Sequence, residues 1–188
     1  MKTIVLAFGR MNPPTIGHEK LIEVCAKVAR ENRCDYQIYS SNSNDKKKNP
    51  LDPQTKIKFV KKMFPRYADH INVDKEMSNP FRVLTKFGEE YDNVIWVAGG
   101  KDVQNYDKSF HKHMASASPD FYFNSLVVHS AGERNADDDG ATGMSATKMR
   151  EFAEKKNINK FFSGIPNTLD DDKKLELMQH VRKGMGLK

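Results

Sequence analysis

The segment Gly9-Arg10-Met11-Asn12-Pro13-Pro14-Thr15-Ile16-Gly17-His18 concentrates residue types that handle phosphate. Gly9 and the two prolines force an abrupt, rigid loop. The loop leaves directly from the apolar run Lys2 to Phe8, and Gly17 and His18 then open a helix. The first turn of a helix has amide N–H groups without intrahelical partners and the positive end of the macrodipole, so it attracts an anion. A histidine in that turn adds a side-chain donor for a phosphate oxygen. The competing view, a helix-start histidine without a role, sits poorly with so particular a spacing.

Charge points the same way. The chain carries a net charge of +6. Residues 45–66 hold eight Lys or Arg (Lys46, Lys47, Lys48, Lys56, Lys58, Lys61, Lys62, Arg66) against Asp45 and Asp52, so this stretch alone accounts for the excess. Localised positive charge implies an anionic ligand nearby, polyphosphate or nucleic acid; a solvated lysine-rich loop and helix is the plainer alternative. The aromatics Tyr36, Tyr39, Phe121, Tyr122 and Phe123 do not interleave with basic residues as a base-stacking platform would. Nucleic acid is therefore disfavoured as a partner.

The elements that must position these residues alternate. Strands are expected at Lys2 to Phe8, Asp35 to Ser40, His70 to Val73 (a short edge), Asn93 to Ala98 and Ser125 to His129. Helices are expected over Gly17 to Glu31, Gln54 to Phe64, Pro80 to Tyr91, from Ser145 onward, and Thr168 to Lys183. In the first, Leu21, Ile22, Cys25, Val28 and Ala29 form one apolar stripe. The second turns Ile57, Val60 and Phe64 inward. In the last, Thr168 and Asp171 form a capping-box-like start. Ser41 to Pro53 reads as a polar, basic, mobile loop, and Ala131 to Gly143 as a loop. Strand–helix alternation predicts an α/β fold, a Rossmann-like doubly wound parallel sheet of about five strands with helices on both faces. In such sheets ligands bind at the carboxyl ends of the strands. Gly9 to His18, Ser40 to Asn44 and Gly99 to Asp102 all follow strands, so they would gather on one edge. The expected organisation is one Rossmann-like domain over 1–155, with a helical extension over 156–188 packed on it.

Several classes are excluded. No apolar run approaches the roughly 20 residues of a membrane helix, and the amino-terminal run is too short for a secretory signal, so a cytoplasmic protein is expected. Two cysteines, Cys25 and Cys34, support neither a disulfide framework nor a zinc site. His111-Lys112-His113 lacks further ligands at metal spacing, and Asp137 to Asp139 lacks the calcium-loop pattern. Trp96 is expected in the core. No metal site of the protein's own is expected.

The Gly9–His18 spacing resembles the signature of the (H/T)xGH nucleotidyltransferase superfamily, G-x-F-x-P-x-(H/T)-x-G-H, through Gly9, Pro13, Thr15, Gly17 and His18. Its opening is similar to that of archaeal-type nicotinamide mononucleotide adenylyltransferases. Met11 stands where Phe is usual, and Thr15 gives the T-x-G-H form familiar from phosphopantetheine adenylyltransferases. Asn49-Pro50-Leu51 followed by Lys56 resembles the N-P-F…R segment, with Lys56 keeping the charge of the arginine but not its bidentate fork. Met144-Ser145-Ala146-Thr147-Lys148-Met149-Arg150 resembles I-S-(S/G)-T-x-(I/V)-R, a second helix start directed at the triphosphate. Val97-Ala98-Gly99-Gly100-Lys101-Asp102 looks like the family's G-x-D segment. The resemblance covers residues 1 to about 155, except Val103 to Gly143. Short stand-alone members of the family occur in phage genomes, and this chain looks like them; a viral chain would work in the host cytoplasm.

The resemblance implies transfer of a nucleoside monophosphate to a phosphate-bearing acceptor, with release of pyrophosphate. His18, Thr15, Lys56 and Thr147 are the implied catalytic residues. Phe8, Gly9, Arg10, Met11, Asn12, Gly17, Gly99, Asp102, Ser145, Ala146, Lys148 and Arg150 are the implied nucleotide-binding ones. Mg²⁺ is expected with the triphosphate. ATP is favoured over CTP by the 144–150 segment, and nicotinamide mononucleotide is favoured as acceptor. Phosphopantetheine, flavin mononucleotide and sugar-phosphate acceptors stay open, as does a non-catalytic nucleotide- or nucleic-acid-binding module. A homo-oligomer of unspecified size is expected.

Overall fold

The computed structural model describes residues 1–133 and 144–188. Five strands form one parallel sheet: β1 (Thr3–Gly9), β2 (Asp35–Ser40), β3 (Ile71–Val73), β4 (Asn93–Ala98) and β5 (Ser125–Ser130), in the order β3-β2-β1-β4-β5. Among the described residues, seven α-helices accompany them: α1 (Ile16–Glu31), α2 (Pro53–Met63), α3 (Pro80–Gly88), α4 (Val103–Met114), α5 (Ala146–Glu154), α6 (Ile158–Ser163) and α7 (Asp171–Gly184). This is the Rossmann-like α/β fold that the alternation predicts. Among the described residues, no helix is long and apolar enough to cross a membrane.

Helices on both faces leave the central strands without a wet side, so β1 and β4 read as continuous apolar runs. Successive side chains of β1 feed two different cores. Val5 and Ala7 join the core built with α1, α2 and α5 to α7, whereas Ile4 and Leu6 join the one built with α3 and α4. Each large apolar side chain so buried contributes about 1.5–3 kcal/mol. Phe161, Ile165, Leu169, Leu177 and Val181 share the first core with Val5 and Ile22, so the carboxy-terminal helices complete it.

The structure differs from expectation in several places. α4 and α6 were not foreseen. The last helix begins at Asp171 with Asp170 as its cap, accepting from the Lys173 N–H at 2.8 Å. Thr168 instead donates to the Met63 carbonyl at 2.7 Å, tying the chain to the end of α2. In α2, Phe59 and Met63 join Val60 in the core, while Ile57 is half-buried. Finally, the 41–53 loop is held rather than loose. Asp45 accepts from the N–H groups of Lys47 (2.9 Å) and Lys48 (2.7 Å) and from Asn49 Nδ2 (2.6 Å), and these bonds drive its carboxyl down to about 2. Ser41, Asn49 and Leu51 are buried.

The strand order reverses between β1 and β4, which makes the gap beyond their carboxyl ends the expected binding crevice of such a sheet.

Candidate active site

The Gly9–Thr15 loop is set by backbone contacts to a distant part of the chain. The amide of Asn12, fully buried, makes two bonds to Leu51: Nδ2 donates to its carbonyl and Oδ1 accepts from its N–H, both at 2.9 Å. Ser41 N–H donates to the Gly9 carbonyl at 3.0 Å. Lys56 Nζ donates to the carbonyls of Arg10 (2.8 Å) and Ser41 (2.6 Å) and to Ser41 Oγ (3.4 Å). Met11 takes φ +47°, which a non-glycine residue adopts at a cost and holds only where its surroundings fix it. The loop is therefore a rigid mount, with the exposed Arg10 side chain projecting from it.

α1 begins with a capping box. Thr15, fully buried, accepts from the Gly17 N–H at 3.1 Å and donates to the Met144 carbonyl at 2.9 Å. In return, His18 Nδ1 accepts from the Thr15 N–H at 2.9 Å. With Nδ1 an acceptor, the ring hydrogen is on Nε2, which is thus the donor nitrogen of His18. The Ile16 N–H donates to the Gly164 carbonyl at 2.9 Å and the His18 N–H to the Thr15 carbonyl at 3.0 Å. The first amides of α1 are thus satisfied within the protein, and what α1 offers an anion is its dipole and an imidazole.

α5 begins differently. Ser145 Oγ accepts from the Lys148 N–H at 3.2 Å. Ala146 and Thr147 line the cavity, and their N–H groups make no hydrogen bond among the described residues. Arg150, one turn on, donates to the Asn12 carbonyl at 2.9 Å and to Thr147 Oγ1 at 3.2 Å. Its guanidinium is pushed down by burial and then by Arg10, which lines the same cavity.

Both helix starts open onto one cavity of about 450 Å³ at the β1/β4 crevice. Its walls include Phe8, Gly9, Arg10, Met11 and Asn12 from the first loop, and Gly17 and His18 from α1. Gly99 and Asp102 come from the turn after β4, and Ser145, Ala146, Thr147 and Arg150 from α5. These thirteen predicted residues are brought together. The turn after β4 approaches so closely that a Cβ on Gly100 would meet the Glu133 carboxylate and, at 3.5 Å, the backbone carbonyl carbon of Gly132.

Three predicted residues are not on the wall. Thr15 lies beneath it, its hydroxyl spent on Gly17 and Met144. Lys148 contributes its N–H to the cap of α5. Lys56 departs furthest from the sequence reading, which gave it the phosphate contact of an arginine. It is fully buried, all three ammonium hydrogens are engaged by Arg10 and Ser41, and burial pushes its amine down to about 8. Its work in this structure is to hold the two loop carbonyls together.

The cavity wall also includes Lys20, Lys48, Lys101 and Tyr106, none of them among the implied site residues. Among the described lining residues, Arg10, Lys20, Lys48, Lys101 and Arg150 stand against one acid, Asp102, so the cavity suits a polyanion. The Tyr106 hydroxyl is pushed up by burial and by Asp102, against the pull of Arg10. Among the described residues no group of three or more His, Cys, Asp or Glu could hold a metal ion. His111 and His113 are instead paired with Asp107 (3.4 Å) and Asp120 (3.3 Å). Trp96 is fully buried, as expected. Asp137 to Asp139 lie outside the described residues.

The cytidylyltransferase-like family model matches residues 6–152. No curated protein matches the sequence. Among solved structures, the chain resembles a bifunctional NMN adenylyltransferase/ADP ribose pyrophosphatase from Francisella tularensis, with a TM-score of 0.59 at 15% identity. The match covers 99% of this chain and 53% of that one, so the chain spans about half the length of that structure. At this identity the likeness is one of fold.

Proposed function

The chain belongs to the cytidylyltransferase-like family of nucleotidyltransferases, and from that premise we propose that it transfers AMP from ATP to a phosphate-bearing acceptor, nicotinamide mononucleotide, releasing pyrophosphate. The observation that carries the reading is the junction of two phosphate-handling helix starts at one cationic cavity. Thr15 Oγ1 bonds the Met144 carbonyl across 129 residues of sequence, and Arg150 bonds the Asn12 carbonyl across 138. The preference for ATP rests on the Met144–Arg150 sequence, and that for the acceptor on Gly9-Arg10 and Asn49-Pro50-Leu51.

In this mechanism an oxygen of the acceptor phosphate attacks the α-phosphorus in line, and the bond to pyrophosphate breaks. The attacking oxygen is already anionic, so no strong base is required and no covalent protein intermediate forms. Positioning and neutralisation of charge carry the rate. His18 donates from Nε2 to an α-phosphate oxygen as charge builds on it. The amides of Ala146 and Thr147, with the hydroxyls of Ser145 and Thr147 and the guanidiniums of Arg10 and Arg150, receive the β- and γ-phosphates. With Asp102 as the acid on the wall, the residues present fit a magnesium ion that arrives on the triphosphate and keeps most of its waters, rather than one held in a carboxylate cage. When bound, it neutralises phosphate charge. The proposed setting is the cytoplasm.

The test is a panel of the four ribonucleoside triphosphates with magnesium against nicotinamide mononucleotide, phosphopantetheine, flavin mononucleotide and sugar phosphates, read by pyrophosphate release. ATP with nicotinamide mononucleotide should turn over fastest. Fastest turnover with CTP would reassign the donor, and no release with any pair would end the transferase reading.

A further inference from the structure

Lys56, on α2, leaves a gap in the charge that the segment after β2 was expected to bring to the phosphates. With its ammonium enclosed by the Arg10 and Ser41 carbonyls, it could reach the cavity only by abandoning three bonds and opening the loop. The loop that precedes α2 sends a different lysine to the wall. Lys48 is exposed and lines the cavity, and its backbone is not free to wander. The Lys48 N–H is bound to Asp45 Oδ1 at 2.7 Å, and Asp45 pairs with Asn49 in an antiparallel bridge. Asn44 Nδ2 closes the turn onto the Asn49 carbonyl at 3.0 Å. Behind it, the Pro50 carbonyl packs so closely on Gly184 of α7 that a Cβ there would overlap it. A fixed backbone thus carries a flexible cationic arm.

The turn lies beside the other cations of the cavity. Arg10, Lys48 and Arg150 come to this one wall from three separate segments. We infer that Lys48 supplies the phosphate contact of the β2–α2 loop, binding the tail of the triphosphate, and that Lys56 is a positioning residue that never touches the phosphates. An ammonium on a flexible stem is a point charge that tolerates variable phosphate geometry. Because Lys48 is solvated before the ligand arrives, its contribution is to affinity more than to turnover.

This inference rests on the triphosphate reading of the cavity, so its probe is inorganic tripolyphosphate, which needs no base, acceptor or reaction. Titration calorimetry on the full chain should show binding to the wild type. Lys48→Gln should weaken it about tenfold, the scale of one charge-assisted hydrogen bond. Lys48→Arg should bind within about threefold of wild type, since the charge is kept, and neither variant should change the unfolding temperature. Lys56→Arg should lower the unfolding temperature without any gain in binding, because a guanidinium is too large for the enclosed site. Wild-type affinity in Lys48→Gln, equal weakening in Lys48→Arg, a gain in binding in Lys56→Arg, or no binding by the wild type would each overturn the inference. Pyrophosphate release measured alongside separates the two claims. Tripolyphosphate binding that depends on Lys48 in a protein inactive with every substrate pair would end the transferase reading and leave Lys48 in place.

Discussion

Two helices begin at the same cavity, and their first turns are built for different work. At α1 the amides of Ile16, Gly17 and His18 are bonded to Gly164, Thr15 and Thr15 again. The cap is reciprocal, with His18 Nδ1 holding the Thr15 N–H. At α5, Ser145 caps one amide, and Ala146 and Thr147 line the cavity with amides that have no partners among the described residues. A helix start binds an anion through amides only where those amides are unspent. α1 has spent them on rigidity and is left to act through one imidazole at a fixed position. α5 has kept them and can receive a ligand.

The largest effect should come from removing that imidazole. His18→Ala is expected to lower turnover by about 10²-fold or more, the scale of losing one donor to a developing oxyanion. The capping box adds a stability loss of about 1 kcal/mol. His18→Gln separates the two roles, because Gln at this position of a capping box also reaches back to the cap N–H. It should unfold at the wild-type temperature and still turn over slowly. Steady-state pyrophosphate release with thermal unfolding reads both, and near-normal turnover in the alanine variant would move catalysis away from α1.

A smaller effect should mark α5. Ala146 is the first residue of its helix, a position where proline is accepted and costs nothing but the N–H. Ser145 before it is already extended, with φ −94° and ψ 158°, the conformation a following proline demands. Ala146→Pro thus deletes one cavity amide and little else. The KM for the triphosphate should rise about tenfold, with turnover at saturation and the unfolding temperature close to wild type. An unchanged KM would mean that the open amides of α5 are not where the phosphates sit, and the contrast with α1 would lose its functional meaning.

How far this site was legible in the sequence depended on whether its parts are contiguous. β4 falls on its predicted residues because a strand with little wet surface reads as a nearly unbroken apolar run, and β2 because Tyr36 and Ile38 alternate with more polar neighbours. α4 escaped notice because its sequence is polar and it buries Phe110 alone in full, and α6 because six residues are too few to show a period. Thr168 looked like a cap since threonine three residues before an acid is a capping pattern; Asp170, two residues on, captures the helix start. Gly9–His18 and Ser145–Arg150 were readable as motifs, each being one loop and one helix turn. Lys20 and Tyr106 reach the wall through topology and carry no local signature, whereas Lys48 and Lys101 lie in segments whose charge or motif was legible. Lys56 shows the opposite limit. Its charge was visible, and its burial, which converts a ligand-binding cation into a loop anchor, was not.

The smallest effect tests the bond that joins the two helix starts. Thr15 belongs to the cap of α1, yet its hydroxyl hydrogen goes to the carbonyl of Met144, the residue before the cap of α5. If that is its work, Thr15→Val, which keeps the shape and removes the hydroxyl, should cost about 1 kcal/mol of stability as a lost helix cap, while turnover and the triphosphate KM stay within about threefold of wild type. Thr15→Ser keeps both hydrogen bonds and should recover most of the stability. The resemblance to T-x-G-H enzymes instead implies a hydroxyl on a phosphate oxygen. That role leads to the reverse pattern in Thr15→Val: stability hardly altered and turnover down about tenfold or more. Because the side chain is fully buried and both its bonds lie within the protein, the first pattern is expected. The hydroxyl then serves catalysis only by keeping the rigid start of α1 and the open start of α5 in register.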